Sequence, residues 1–135
     1  MRVLLVLTLL AAFSSRCQPA TPADEPVKTY LDFVRAVRKR ELTQAYAGLS
    51  TETRALLEKR AQELSAASGG ALKADPMSLF FSAPGPAGDV SEVKLLEIQG
   101  NRATLSARSA EQTQTVTLVK EAGGWKVDLT QALRP

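Results

Sequence analysis

The hydrophobic pattern of the chain changes its period part-way along, and this change limits the folds that the sequence can adopt. Between residues 26 and 64 apolar residues recur at helical spacing, which indicates amphipathic helices. From Val90 to Leu129 apolar and polar residues alternate, as in strands that bury one face. Helices first and strands second predict an α+β domain in which N-terminal helices pack on a C-terminal antiparallel meander.

Three helices are predicted in the first half. Pro26 suits the first turn of a helix because it has no amide hydrogen, and the apolar stripe that follows extends to Val37. A second helical stretch starts at Leu42 and breaks near residues 48–50. Thr51 is predicted to cap a third helix that ends near Leu64, before the Ser- and Gly-rich residues 65–70.

A short helix and four strands are predicted in the second half. Asp75 and Pro76 have the order of a cap and a first-turn proline, and residues 83–88 form a Pro- and Gly-rich loop. Gly100-Asn101 indicates a tight hairpin, and Gly123-Gly124 turns the chain into the last strand. The predicted domain covers residues 26–133, and its sheet is expected to wrap the first helix in a cone-like arrangement.

The N-terminus has the layout of an export signal. Met1-Arg2 gives a positive start, and an apolar run follows from Val3 to Phe13. Such a run rises roughly 16 Å as a helix, against a bilayer hydrocarbon core of roughly 30 Å. We therefore expect residues 1–16 to be a signal peptide and residues 17–25 to be a tether; the alternative is an uncleaved anchor or a buried N-terminal helix.

Two cleavage sites are open. Ala12-Phe13-Ser14 suits ordinary signal peptidase, which would release a soluble periplasmic or secreted protein. Residues 13–17 (FSSRC) resemble a bacterial lipobox, with Arg16 where that motif holds a small residue. This resemblance implies lipid attachment at Cys17 and anchoring to a membrane. In such lipoproteins an aspartate directly after the lipidated cysteine signals retention at the inner membrane. Gln18 occupies that position here, so the resemblance implies the outer membrane.

Composition excludes several classes of function. The chain has no histidine, which removes His-containing catalytic triads and the commonest metal ligand. Cys17 is the single cysteine, so no intramolecular disulfide forms. Arg2 and Arg16 account for two of the 17 basic residues; the remainder, against 14 acidic residues, leaves a net charge of +1. Neither nucleic-acid binding, nor a cofactor, nor a metal site is predicted.

The order of elements resembles the nuclear-transport-factor-two-like superfamily, whose fold is also called the cystatin-like cone. The resemblance covers most of residues 26–130. It rests on three segments, which are residues 26–37 (PVKTYLDFVRAV), 41–57 (ELTQAYAGLSTETRALL) and, most specifically, 116–129 (VTLVKEAGGWKVDL). The resemblance implies a cone whose open end can hold a small ligand. Some relatives are enzymes, but their catalytic motifs do not transfer to these residues.

The residues that merit testing for chemistry are few. The candidates for acid–base work are Tyr30, Asp32, Tyr46, Glu97 and Asp128, and the two aspartates are expected to face water. No catalytic residue is assigned.

A second set, Tyr46, Met77, Phe80 and Phe81, is predicted to line a pocket or dock a partner, or else to close the core. The predicted function is a non-enzymatic envelope module that contacts the membrane and envelope proteins. The alternatives are a periplasmic protein that binds a small molecule, and a cryptic isomerase- or dehydratase-like enzyme.

Overall fold

A computed structural model describes residues 24–82, 89–110 and 112–134 of the chain. The predicted signal peptide, Cys17, most of the tether and the predicted loop at 83–88 lie outside these residues.

Helices come first and strands second, as predicted. The elements in chain order are α1 (Asp24–Arg38), α2 (Leu42–Ala47), α3 (Thr51–Ala67), α4 (Pro76–Ser82), β1 (Val90–Gln99), β2 (Arg102–Ser109), β3 (Thr113–Glu121), β4 (Gly124–Asp128) and α5 (Thr130–Leu133). The strands form one antiparallel sheet in the order β1-β2-β3-β4. The α+β prediction with a C-terminal meander is therefore confirmed.

The sheet has one apolar face and one polar face. On the apolar face Ala103 pairs with Leu118, and Leu105 pairs with Val116. The polar alternates of β2 and β3 face the other side, as the two-residue period predicts. Helix α1 packs on the apolar face with Tyr30, Phe33 and Val34, which are at most 5% exposed. Helix and sheet thus share one core, as the hydrophobic pattern indicated.

The segment between α2 and α3 closes the sheet at β4. Leu49 forms a parallel bridge with Val127. The Ser50 amide donates to the Val127 carbonyl, and the Val127 amide donates to the Gly48 carbonyl, both at 2.8 Å. A short piece of extended chain therefore satisfies backbone groups that the edge of β4 would otherwise expose.

Several predicted boundaries were wrong. Helix α1 begins at Asp24, inside the predicted tether, and α3 continues to Ala67. The cap of α3 is Ser50, whose side chain accepts a hydrogen bond from the Thr53 amide, whereas Thr51 is the first helical residue. Helix α5 was not predicted, because its four residues are too few to show a period.

Candidate functional site

An open cleft lies between α3 and α4. Its volume is about 350 Å³, and its walls come from the end of α3, the connection that follows and the outer side of α4. The lining residues are Ala61, Leu64, Leu72, Lys73, Asp75, Ser78, Leu79 and Ser82. Buried Ala61 and half-buried Leu79 form the floor, while the exposed Leu64 and Leu72 lie at the rim with one cation, one anion and two hydroxyls.

The chain reversal after α3 holds Leu72 at the cleft. Gly69 and Gly70 adopt φ angles of +63° and +84°, which glycine reaches without steric cost. The Ser68 hydroxyl donates to the Ser65 carbonyl at 2.9 Å and accepts from the Leu72 amide at 3.0 Å. The backbone therefore fixes this leucine although its side chain is 56% exposed.

Asp75 organises the start of α4 at the rim. Its Oδ1 accepts hydrogen bonds from the amides of Met77 and Ser78 at 3.0 and 3.2 Å. Its Oδ2 accepts from the Ser78 hydroxyl at 2.6 Å. The hydrogen bonds from the Ser78 hydroxyl and amide lower the pKa of Asp75 below its ordinary value, so the carboxylate is ionised at neutral pH.

Helix α4 points its aromatic side chains away from the cleft. Phe80 is 6% exposed, and its ring centroid lies 6.3 Å from that of Phe33 and 4.9 Å from that of Phe81. Phe81 is half-buried against the same core, and Met77 is half-buried. The structure thus brings Phe80 and Phe81 together as part of the core packing, and their proposed docking role stays a prediction.

Tyr46 lies on α2 and is half-buried against the core. Its hydroxyl has no hydrogen-bond partner among the described residues, and the same holds for the buried Nε of Arg54. Burial is the main effect that raises the pKa of Tyr46, and the nearby Glu58 carboxylate raises it further. The phenol is therefore neutral at neutral pH.

The other acid–base candidates are dispersed. Asp32 lies on α1 and pairs with Lys28 and with Arg35, and the Lys28 hydrogen bond is the largest cause of its lowered pKa. Glu97 is exposed on β1. Tyr30 is buried in the core, where burial raises its pKa and the Gln114 side chain partly offsets that rise. These groups do not converge on one site.

Asp128 does not face water, which corrects the sequence-based expectation. It is 8% exposed, and its Oδ1 accepts from the Thr130 amide at 3.0 Å and from the Thr53 hydroxyl at 3.4 Å. Its Oδ2 lies 3.6 Å from Arg102. Thr53 in the first turn of α3 contacts this end of β4, so the carboxylate joins helix to sheet as a structural group.

The exposed leucines of the cleft were not singled out from the sequence as binding residues. Leu64 was assigned to the apolar stripe of its helix, but it lies beyond the core and is 45% exposed. Leu72 follows the Gly-Gly turn and belongs to no periodic segment. Their one sequence signal is aliphatic character where the helical pattern ends.

The described residues contain no cluster of histidine, cysteine or acidic side chains that could hold a metal ion. None of the helices in residues 24–82, 89–110 and 112–134 is both long and apolar enough to span a bilayer. No protein-family model matches the chain, and no curated protein matches it. The resemblance to the cone superfamily therefore stays a prediction.

Proposed function

We propose that the chain is a non-enzymatic cell-envelope lipoprotein, held at the membrane through Cys17, that acts as an interaction or accessory module. Its partner surface is the cleft between α3 and α4. The observation that carries this proposal is the exposure of Leu64 and Leu72 above an aliphatic floor. Burying such surface contributes roughly 25 cal/mol per Å², so a partner that covers the two leucines gains affinity from them.

The chemistry of the cleft defines the partner. An amphipathic peptide segment of another envelope protein would place aliphatic side chains against Leu64, Leu72 and Leu79, in the manner of a helix in a groove. Lys73 and Asp75 at the rim would pair with charges of both signs on that segment. Such rim charges favour the correct partner and orientation more than they raise affinity.

The placement of the acidic groups supports a non-enzymatic role. Acid–base catalysis needs groups within hydrogen-bond reach of one reacting atom. Asp32 is engaged by neighbouring cations on α1, Glu97 lies at the far edge of the sheet, and Asp128 is engaged by backbone and side-chain donors. These three carboxylates therefore form no catalytic pair.

A small apolar molecule is the second candidate ligand, and the size of the cleft favours it. A volume of about 350 Å³ lies within the range of small-molecule sites. The Lys73 ammonium would bind a carboxylate while the leucines cover an alkyl chain. Decanoate is a suitable probe, and its binding would shift the amide resonances of Leu72 and Ser78.

The partner surface can be tested by site-specific photo-crosslinking in the native host. A photo-reactive phenylalanine analogue replaces Leu72 in one strain and Leu31 in another; Leu31 is a matched control because it is an exposed leucine on α1. We expect a discrete protein adduct from position 72 and none from position 31. Adding Leu64→Glu should remove the adduct. Equal adducts at both positions, or persistence with Leu64→Glu, would contradict the proposal.

The anchor has its own test. Cys17→Ser removes the sulfur that a lipid would modify, so we expect the protein to leave the membrane fraction. The intact mass of the purified mature chain distinguishes lipidation at Cys17 from cleavage after Ser14. Unchanged fractionation, or a mass that lacks acyl chains, would refute lipid anchoring without bearing on the cleft.

A further inference from the structure

We propose that two copies of this chain pair through the free edge of β1 in an antiparallel, twofold-symmetric register that joins their sheets. In the part of the chain that the structure describes, β1 pairs with β2 and with no other strand. At the opposite edge, Val127 of β4 already exchanges backbone hydrogen bonds with residues 48–50. An uncovered strand edge presents unpaired amide and carbonyl groups that readily accept another strand.

The free edge also exposes aliphatic side chains. Leu96 is 60% exposed, and Ile98 is 38% exposed although it belongs to the helix-facing side of the sheet. Its partner across the hairpin, Ala103, is fully buried. The apolar face of the sheet therefore continues to its open margin, where a second copy would cover it.

The charges along β1 select the partner and the register. Lys94 pairs with Ser106 and Glu97 with Thr104, so both charged side chains lie on the polar face of the sheet. In a twofold pairing of residues 92–99, Lys94 of each copy lies opposite Glu97 of the other, and Val93 lies opposite Ile98. Both salt bridges and both apolar contacts then form on matching faces.

Neighbouring registers lose this match. A shift of two residues in one direction places Glu92 opposite Glu97, which is a like-charge contact repeated by symmetry. The same shift in the other direction places Lys94 opposite Gln99 and leaves no oppositely charged pair. Self-complementarity of this segment therefore points to a second copy rather than to an unrelated strand.

The bulge at Leu96 is compatible with the pairing. Register shifts occur between Val90 and Glu92 and between Leu95 and Glu97, and bulges at sheet edges usually hinder association. In the twofold register Leu95 of one copy faces Leu96 of the other, so the same extra residue occurs in both strands. The residue count therefore matches on either side of the symmetry axis.

Charge-reversal variants test the pairing, with sedimentation velocity on the purified full chain over a concentration series. Lys94→Glu places a glutamate opposite Glu97 at both symmetry-related positions. We therefore expect the dimer dissociation constant to rise roughly tenfold or more. Glu97→Lys should act likewise. The double variant Lys94→Glu with Glu97→Lys should restore the dimer.

A mixture of the two single variants gives the sharpest result. One chain then carries glutamate at both positions and the other carries lysine at both, so heterodimers should form where neither variant self-associates. Lys59→Glu is the control, because it makes the same change at an exposed lysine on α3 outside the cleft and should leave the dimer intact. A wild-type monomer at every concentration, a dimer insensitive to these changes, or a loss that the double variant does not reverse would overturn the proposal.

Discussion

The two ends of α3 differ in how the rest of the chain holds them. At the N-terminal end, the Glu121 carboxylate accepts hydrogen bonds from the Thr51 amide and hydroxyl, and Thr53 bonds to residues at the end of β4. At the C-terminal end, Leu64 is 45% exposed and the helix stops before two glycines in the left-handed region. One end thus contributes to fold stability, while the other leaves aliphatic surface exposed to solvent.

The largest effect is expected in the core next to the anchored end. Trp125 lies on β4 and is 8% exposed, so Trp125→Ala should destabilise the protein by about 3–5 kcal/mol through loss of contacts and cavity formation. Thermal unfolding followed by circular dichroism measures the change. Trp125→Phe should cost less, because the indole Nε1 has no hydrogen-bond partner among the described residues. An unaltered melting transition for the alanine variant would contradict a core role.

The next effect concerns the Thr53 hydroxyl, which accepts from the Ser50 hydroxyl at 2.8 Å and from the Leu129 amide at 2.9 Å. Thr53→Val keeps the shape but removes the acceptor for the buried Ser50 hydroxyl and the part-buried Leu129 amide, so we expect a loss of about 1–3 kcal/mol. Urea unfolding measures it. Thr53→Ser retains the hydroxyl and should stay close to wild type; a loss as large as that of valine would assign the effect to packing.

A smaller effect tests charge at the two ends of α3. Glu121→Gln keeps an acceptor for the Thr51 amide but removes the negative charge from the helix N-terminus, which should cost about 0.5–1 kcal/mol. Glu63→Gln near the C-terminal end is the matched change. It removes an exposed pair with Lys59 at 3.9 Å, which contributes little, and a negative charge that is unfavourable at that end, so we expect almost no loss of stability. If urea unfolding shows equal losses in the free energy of unfolding for the two variants, the proposed difference between the two ends of α3 is contradicted.

The exposed leucine of the cleft should matter little for folding. Leu72→Ser is expected to change the free energy of unfolding by less than about 0.5 kcal/mol, because the side chain is 56% exposed. The same change should abolish the photo-crosslink from a probe placed at Leu79. A clearly lowered melting temperature would show that Leu72 belongs to the core rather than to a binding surface.

The smallest expected effect is a pH dependence at the rim of the cleft. The folded-state pKa of Asp75 is lowered, so its stabilising hydrogen bonds are fully present above the unfolded-state pKa and are lost as pH falls through the folded-state pKa. The amide resonances of Met77 and Ser78 should therefore titrate with a midpoint below 3.8, the ordinary value. A midpoint at or above that value would contradict the bonding at Asp75.

Local patterns predicted most of the fold. The apolar stripe that contains Tyr30 and Val34 predicted α1. The alternation around Leu105 and Val127 predicted the buried face of the sheet. Both patterns can be recognised from residues that are close together in the sequence. The same alternation wrongly predicted that Asp128 faces water. The residues around Asp128 give no sign that the first turn of α3 lies against the end of β4.

The candidate site was less predictable than the fold. Phe80 was singled out because its side chain is large. Large aromatic side chains are commonly buried in the core, and Phe80 packs there against Phe33. The cleft instead depends on the direction in which Gly69 and Gly70 turn the chain, and this brings Leu72 beside Leu64. Such a juxtaposition follows from backbone geometry across a turn and leaves no periodic signal.

The bridge between Leu49 and Val127 affects whether the sheet can grow by adding strands from further copies of the chain. Because residues 48–50 bond to Val127 at the β4 margin, pairing at β1 would use the margin that no described strand covers. At either end of the joined sheet a third copy would meet residues 48–50 bonded to Val127 instead of a bare strand edge. Strand addition would thus terminate at two chains, and the chain's own backbone would act as the stop that prevents a fibre.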